Sequence, residues 1–197
     1  FGFNAPFLIS PHNSNVIYQA ANVVLRSSFQ GENWEIISPD LTTNDPEHKD
    51  IGPIPYSTIT TLDESPVREG VIWTGTDDGN VQLTVDGGEN WTKLNDRITG
   101  NPGYWVKRVS ASKHYVGKAY VVYTGYYNDD FRPFVFKTAD FGKTWASISG
   151  DFPDDEPLNV VREDHKNPNL LFAGTEKAVY VSVNGGTNWT RMKNNMP

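Results

Sequence analysis

An eight-residue motif that recurs four times constrains this chain more than any other feature. It follows the template Ser/Thr-x-Asp-x-Gly-x-Thr/Asn-Trp at 84–91, 138–145 and 182–189, with a degenerate copy at 27–34. The tryptophans that close the copies are 57, 54 and 44 residues apart. Self-similarity at such a period indicates stacked units of similar structure, none of which can bury its apolar faces alone.

Each copy has the composition of a tight hairpin turn. Asp or Asn accepts hydrogen bonds from nearby backbone N–H groups, and the Gly two residues later takes positive φ without a Cβ penalty. The Trp is expected to fold back over the turn and to bury roughly 150–250 Å². We therefore interpret the following residues as structural: Asp86, Gly88, Trp91, Asp140, Gly142, Trp145, Asn184, Gly186, Trp189, Gly31 and Trp34. In the first copy Phe29 replaces the Asp, so a different support for that turn is expected.

Runs rich in β-branched and aromatic residues flank every motif, which is typical of strands. In the last repeat, four such runs lie at 158–163, 170–175, 178–181 and 189–192. Four antiparallel strands at a period of about 40–55 residues are typical of a propeller blade. The sequence therefore predicts an all-β fold, a β-propeller segment of four four-stranded antiparallel blades. We expect one segment over 1–197, with blades at about 5–38, 55–96, 104–150 and 157–194.

The motifs resemble the Asp boxes of bacterial neuraminidase (BNR) repeats. The segments 9–13 (ISPHN), 75–79 (GTDDG) and 163–169 (EDHKNPN) are similar to those of large bacterial envelope proteins with sortilin-like propellers, often described as glycosyl hydrolases with BNR repeats. The resemblance covers nearly the whole chain and implies an extracellular or bacterial-envelope location, either periplasmic or secreted. The resembling proteins include sialidases, xyloglucanases, sortilin-type receptors and a photosystem II assembly factor, so a shared fold does not define one function.

Composition excludes several classes of partner. The formal net charge of −7 argues against nucleic acid and against docking on anionic membranes. No run of eighteen apolar residues is present, so no membrane insertion is expected. The absence of cysteine excludes disulfides and thiolate ligands. No segment has the residue spacing of a calcium loop or a zinc motif, and we expect neither a metal nor a cofactor.

The third blade carries the candidate ligand site. In a propeller, the loops that join blades share one face with the loops between the second and third strands, so Tyr104-Trp105 is expected beside the long loop 125–133. Aromatic rings next to carboxylates are a common way to hold sugar rings or extended peptides. The candidate ligand-binding residues are Tyr104, Trp105, Tyr126, Tyr127, Asp129, Asp130 and Phe131. The alternative is that these aromatic residues only pack the loop.

A catalytic constellation is not evident, and we assign no catalytic residues. Most glycosidases need two carboxylates at a defined separation across a cleft. The conceivable pairs combine an acid of the third-blade loop with one of the second-blade loop: Asp129 or Asp130 with Asp77 or Asp78. Sialidases need three converging arginines, whereas only Arg108 and Arg162 fall on predicted inner strands.

Three functional interpretations remain open. The first is a non-catalytic binding module for a protein, peptide or glycan. The second is a fragment of a glycan-processing, glycoside hydrolase-like enzyme, and the third is a structural sector of a larger multi-blade protein. Uncovered blade faces are adhesive, so we expect either a homodimer or a place within a larger propeller.

Overall fold

The structure, a computed structural model, describes Gly2 and residues 5–47 and 56–193. It contains four antiparallel sheets of four strands, and within each sheet the strands follow their order in the chain. The predicted blade limits at residues 55 and 194 lie outside the described residues.

The bounds of the strands are as follows. The first sheet contains β1 (Phe7–Ile9), β2 (Ile17–Ala20), β3 (Val24–Phe29) and β4 (Glu32–Ile36). The second contains β5 (Ile59–Glu64), β6 (Ile72–Thr76), β7 (Val81–Thr84) and β8 (Thr92–Lys93). The third contains β9 (Trp105–Ala111), β10 (Ala119–Gly125), β11 (Asp130–Thr138) and β12 (Ala146–Ser147). The fourth contains β13 (Leu158–Glu163), β14 (Leu171–Thr175), β15 (Val179–Ser182) and β16 (Thr190–Arg191).

Successive sheets pack face to face through three apolar cores, which is the arrangement of propeller blades. One core joins Tyr18 and Val24 of the first blade to Leu62 of the second. Similar cores join the second blade to the third and the third to the fourth. Every residue of β10 is buried, because the third blade has a neighbour on each side, whereas burial alternates along β2. Within the described residues, no helix has the length and apolarity needed to cross a membrane.

The four motifs form hairpin turns, called box turns below, at 27–34, 84–91, 138–145 and 182–189. In the second, the hydroxyl of Thr84 donates to Asp86 at 2.7 Å and accepts the Gly88 N–H at 3.0 Å. Asp86 also accepts the Asn90 N–H at 2.9 Å. Hydrogen bonds of the same pattern hold the third and fourth box turns, around Thr138 with Asp140 and Ser182 with Asn184. The Ser or Thr that opens the motif is thus as important to the turn as the Asp.

The first box turn keeps this hydroxyl although Phe29 replaces the Asp. The Ser27 hydroxyl accepts the N–H groups of Phe29 at 3.2 Å and Gly31 at 3.0 Å. Gln30 and Gly31 both have positive φ, at 57° and 99°. The Gln30 side chain donates to the side chain of Asn15 at 2.7 Å. The Ser27 hydroxyl itself donates to the Glu32 carbonyl instead of to an Asp, and these bonds together are the different support that the sequence led us to expect.

The box turns share one face of the molecule with the turns between the first and second strands. In each blade, a backbone N–H of the box turn donates to a carbonyl of that other turn at 2.8–3.0 Å. The four donor and acceptor pairs are Gln30 and Asn15, Gly87 and Gly70, Phe141 and Gly117, and Gly185 and Asn169. On the opposite face, the segment entering the second blade meets the loop after β6, where Asp77 accepts the Thr58 N–H and hydroxyl.

Polar side chains connect neighbouring blades inside the apolar cores. The hydroxyl of Tyr18 in the first blade donates to Glu64 in the second at 3.2 Å. Tyr120 in the third blade donates to Glu163 in the fourth at 3.1 Å. Lys118 forms a 2.7 Å ion pair with the same Glu163 carboxylate, so that buried charge is compensated.

The box-turn tryptophans pack on the preceding blade. The indole N–H of Trp91 donates to the carbonyl of Ile37, and that of Trp189 donates to the carbonyl of Ile148, each at 2.9 Å. Trp34 departs from the expectation that all four are covered, since it is 40% exposed. The reason is its position on the face of the first blade that no described residue of another blade covers.

Candidate functional site

The expected rim of the third blade contains an open pocket, called the rim pocket below. It has a volume of about 520 Å³. Its lining residues come from the second and third blades: Tyr56, Asp77, Pro102, Gly103, Tyr104, Trp105, Tyr127 and Asn128. The pocket lies on the face that carries the loops between blades, opposite the box turns.

Close packing of backbone brings the walls of the pocket together. Gly79, in the loop after β6, has a φ of 86°. A Cβ at this position would lie 2.8 Å from the carbonyl oxygen of Gly103, so only glycine allows the two loops to approach this closely. Gly103 itself has a φ of 70° and leads directly into Tyr104 and Trp105 at the start of β9.

Stacked aromatic rings form one wall. The Trp105 and Tyr127 rings lie 5.3 Å apart with their planes 22° from parallel. Tyr126 makes edge contacts with both Tyr127 and Phe131, at 5.7 and 5.8 Å. The indole N–H of Trp105 donates to the hydroxyl of Thr60 at 3.1 Å, which fixes the orientation of the ring. Tyr127 is 73% exposed and presents its ring to solvent.

The loop that carries these rings is shorter than the expected 125–133. A 3-10 turn at Tyr126–Asn128 and the left-handed Asp129 reverse the chain, and β11 begins at Asp130. Asp130 pairs directly with Gly125, where a Cβ would lie 2.7 Å from the Asp130 carbonyl oxygen. The glycine allows this close approach, and residues that appeared to belong to the loop extend the sheet instead.

Asp130 is engaged in a network with Tyr104. Arg132 holds it with two hydrogen bonds of 2.9 and 2.7 Å, and the Tyr104 hydroxyl donates to it at 3.2 Å. The hydrogen bonds from Arg132 lower the pKa of Asp130 to about 2. Burial and the neighbouring Asp130 raise the pKa of Tyr104. An ionised, fully engaged carboxylate orients the Tyr104 ring and is poorly suited to act as a general acid.

Two neighbouring acids of the second blade have different structural roles. Asp77 is 6% exposed and accepts the N–H and the hydroxyl of Thr58, each at 2.8 Å. Asp78 accepts the N–H and hydroxyl of Thr43 at the same distance. Burial raises the pKa of Asp77. Both carboxylates therefore hold the segment between the first two blades in place.

The same acids make the Tyr56 side of the pocket electronegative. Burial raises the pKa of Tyr56, and the charges of Asp78, Asp77 and Asp45 raise it further. A phenol whose ionisation is opposed by three carboxylates stands in a negative potential, which attracts cations.

The structure brings together most of the predicted site residues, in different roles. Tyr104, Trp105 and Tyr127 line the pocket, Tyr126 and Phe131 support it from outside, Asp130 orients Tyr104, and Asp129 lies exposed in the turn. Tyr56, Asp77 and Asn128 were not predicted as site residues. Tyr56 precedes the first strand of its blade as Tyr104 does, so the same argument applied to the second blade would have found it. No three described His, Cys, Asp or Glu residues are grouped so that they could hold a metal ion.

Comparison with known proteins defines the class of fold. No family model and no curated protein matches the chain. Solved structures do match: an ancestral GH74 enzyme (TM-score 0.74, 20% identity, 99% of this chain), the GH74 xyloglucanase from Xanthomonas campestris (0.69, 18%, 96%) and YCF48 from Cyanidioschyzon merolae (0.53, 26%, 68%). The chain spans 25%, 30% and 39% of their respective lengths. The protein is therefore a β-propeller that is similar in fold to parts of these larger chains.

Proposed function

We propose that this protein is a non-catalytic binding module whose rim pocket holds a segment of a protein or peptide. The observation that carries the proposal is the open pocket of about 520 Å³ with the stacked Trp105 and Tyr127 rings on one wall. Exposed aromatic residues that are held in fixed orientations lose little side-chain entropy on binding, and they are frequent binding hot spots.

The charge of the pocket points to a cationic group in the ligand. Aromatic faces attract Lys or Arg side chains through the ring quadrupole. The carboxylates of Asp77 and Asp78 add negative potential near Tyr56, and the net charge of the chain is −7. We therefore propose that the ligand presents a Lys or Arg side chain to the pocket.

A glycan is the second candidate ligand. Flat aromatic surfaces also stack on sugar rings, and the fold is similar to that of a GH74 xyloglucanase. In this alternative the chain is a fragment of a glycan-processing enzyme, and the rim pocket is a sugar-binding subsite. A third alternative is a structural sector of a larger propeller that has no ligand of its own.

Ligand binding by matched variants distinguishes these proposals. Calorimetry would compare a Lys-containing decapeptide, the same peptide with Lys replaced by Glu, and a xyloglucan oligosaccharide. We expect the Lys peptide to bind and Trp105→Ala with Tyr127→Ala to weaken it at least about tenfold. The control is Tyr115→Ala, which removes an exposed aromatic ring from the opposite face.

The outcomes separate the three interpretations. Binding of the oligosaccharide alone, with loss in the Trp105 and Tyr127 variant, would support the glycan. Turnover of the oligosaccharide that disappears in Asp129→Asn or Asp130→Asn would support the enzyme. If no ligand responds to the rim substitutions, the binding proposal is wrong. We also propose an extracellular or bacterial-envelope location, on the resemblance of the sequence motifs to those of envelope propellers.

A further inference from the structure

The three interfaces between blades repeat one contact on the box-turn side. The glycine at the fifth position of each of these box turns packs on the apolar residue that follows the fourth strand of the preceding blade. The pairs are Gly88 with Ile37, Gly142 with Leu94 and Gly186 with Ile148. A Cβ would overlap the backbone of Ile37, and it would lie 2.7 Å from Leu94 Cδ1 and 2.9 Å from Ile148 Cδ1 in the other two. In two of the three interfaces, the box-turn Trp also donates to the carbonyl of that apolar residue.

A second contact recurs in the middle of each interface, and its two residues are complementary in polarity or in size. The aromatic residue of the second strand meets the last residue of the first strand in the next blade. Tyr18 meets Glu64, and Tyr120 meets Glu163, with a hydrogen bond in each case. Between the second and third blades the corresponding residues are Trp73 and Ala111, which share one apolar core. A hydroxyl therefore stands opposite a carboxylate, and the large indole shares its core with a small side chain.

The outward face of the first blade carries the residues that would contact a preceding blade, but no described blade lies against them. Register places Ile9, Ile17 and Trp34 in one row across the sheet, with Leu25 and Ile36 in the next row. Ile9, Trp34 and Ile36 are 51%, 40% and 66% exposed. A Cβ on Gly31 would meet no atom within 4 Å, in contrast to the glycine at the same fifth position of the other box turns. In this blade Ile9 occupies the position of Glu64 and Glu163.

The outward face of the fourth blade carries the complementary residues, those that would contact a following blade. Phe172 pairs with Arg162 and Val181, while Leu171 and Ala173 on either side of it belong to the core shared with the third blade, so the Phe172 ring lies on the other face of the sheet. The guanidinium of Arg162 reaches back to the hydroxyl of Ser110 in the third blade at 2.8 Å. Phe172 occupies the position of Tyr18 and Tyr120, without their hydroxyl. Met192 follows the fourth strand, where Ile37 and Ile148 stand in other blades, and its N–H makes the equivalent bond to the Val179 carbonyl.

We propose that the outward face of the fourth blade docks on the outward face of the first blade of a second copy of this chain. Phe172, which has no hydroxyl, then meets Ile9, which has no carboxylate, so neither buries an unpaired polar group. Met192 meets Gly31 and Trp34. Two copies related by a two-fold axis make this contact twice, so the outward faces of both copies are covered. This inference is independent of the ligand that the rim pocket binds.

Sedimentation equilibrium and light scattering test the proposal. Wild-type protein should have twice the 22.1 kDa chain mass. Ile9→Glu should raise the dimer dissociation constant at least about 100-fold, because it buries a charge opposite Phe172. Adding Phe172→Tyr to Ile9→Glu recreates the Tyr–Glu pair of two other interfaces and should recover at least about tenfold of that loss. Val85→Glu, an equivalent change at an exposed box-turn position, should leave the mass unchanged.

The contrary results are equally definite. A single-chain mass at a concentration of about 100 μM would overturn the proposal, since copies that complete each other's core should associate more tightly. An Ile9→Glu variant that stays dimeric, or a double variant without recovery, would show that Ile9 and Phe172 do not meet. Ile9 and Phe172 both lie on outward faces, so circular dichroism should show the same fold in every variant.

Discussion

The hydroxyl of Tyr120 donates to Glu163 across the interface of the third and fourth blades, whereas the hydroxyl of Tyr123 in the same strand has no partner among the described residues. Both side chains are almost completely buried, at 1% and 0% exposed. Burial raises the pKa of both phenols. The same chemical group therefore stabilises the fold at one position and opposes it at the other.

Removing the two hydroxyls should have opposite effects on stability. Tyr120→Phe should lower the free energy of unfolding by about 1–2 kcal/mol, because the buried Glu163 loses a donor. Tyr123→Phe should leave it unchanged or raise it by about 0.5–1 kcal/mol, because an unpaired buried hydroxyl is removed. Urea denaturation of both variants measures this difference. Equal losses would contradict the assigned hydrogen bonds.

The box-turn aspartates should make stability depend on acid pH. Hydrogen bonds from Thr144 lower the pKa of Asp140 to about 2, and those from Asn90 lower the pKa of Asp86 to about 2. A carboxylate whose folded pKa lies below the usual 3.8 stabilises the fold above about pH 4, and this contribution is lost as pH falls toward 2.

Substitutions within the repeat can isolate that effect. Asp86→Asn with Asp140→Asn should flatten the fall of Tm between pH 4 and pH 2, measured by calorimetry. The fourth box turn has Asn184 at the same position, so Asn184→Asp should make the fall steeper. If Tm falls with pH at the same slope in the wild type, the double variant and Asn184→Asp, these carboxylates do not contribute to acid sensitivity.

The contribution of Asp63 to stability should depend on pH in the opposite sense. Asp63 accepts the Ala111 N–H at 2.8 Å, and burial raises its pKa to about 6. Between about pH 4 and pH 6 the folded state binds a proton that the unfolded state releases, so stability falls as pH rises through this range. Asp63→Asn keeps an acceptor oxygen and should raise stability at pH 7 by at most about 3 kcal/mol. A variant that is less stable than wild type at pH 7 would contradict this assignment.

Two glycines with similar backbone angles should respond differently to alanine. Gly186 and Gly100 have φ values of 87° and 79°. A Cβ on Gly186 would lie 2.9 Å from Ile148 Cδ1, whereas a Cβ on Gly100 meets nothing within 4 Å. Gly100→Ala should cost about 1 kcal/mol for the left-handed conformation, and Gly186→Ala about 3 kcal/mol because the overlap adds to it. Denaturant midpoints give both values, and similar losses would contradict the packing of Gly186 on the preceding blade.

The fold was predictable because the information that determines it is local and repeated. The predicted strand at 158–163 coincides with β13, since a short run with β-branched residues and a turn on each side define it without knowledge of distant residues. The hairpin geometry around Asp86 and Gly88 also follows from a few neighbouring residues. Repetition converted four weak local signals into one strong prediction.

The details of the site depend on partners that are distant in sequence. Tyr56 and Tyr127 line one pocket although 71 residues separate them. The Tyr104 hydroxyl reaches Asp130, 26 residues further along the chain, and the pairing of Gly125 with Asp130 turns expected loop residues into strand. The sequence predicted Asp130 as a ligand-binding residue of the rim, whereas the structure shows its carboxylate held by Arg132 and Tyr104.

The backbone hydrogen bonds between box turns and the neighbouring turns have a consequence for protein engineering. They use no side chains, so the face that carries them secures each blade whatever sequence the opposite loops have. The loop at 126–129 differs in form from the loop at 77–80, yet both blades keep the same turn-to-turn bond. The rim is therefore the place to graft new recognition loops, and a library that varies only these loops would sample new specificities on a constant scaffold.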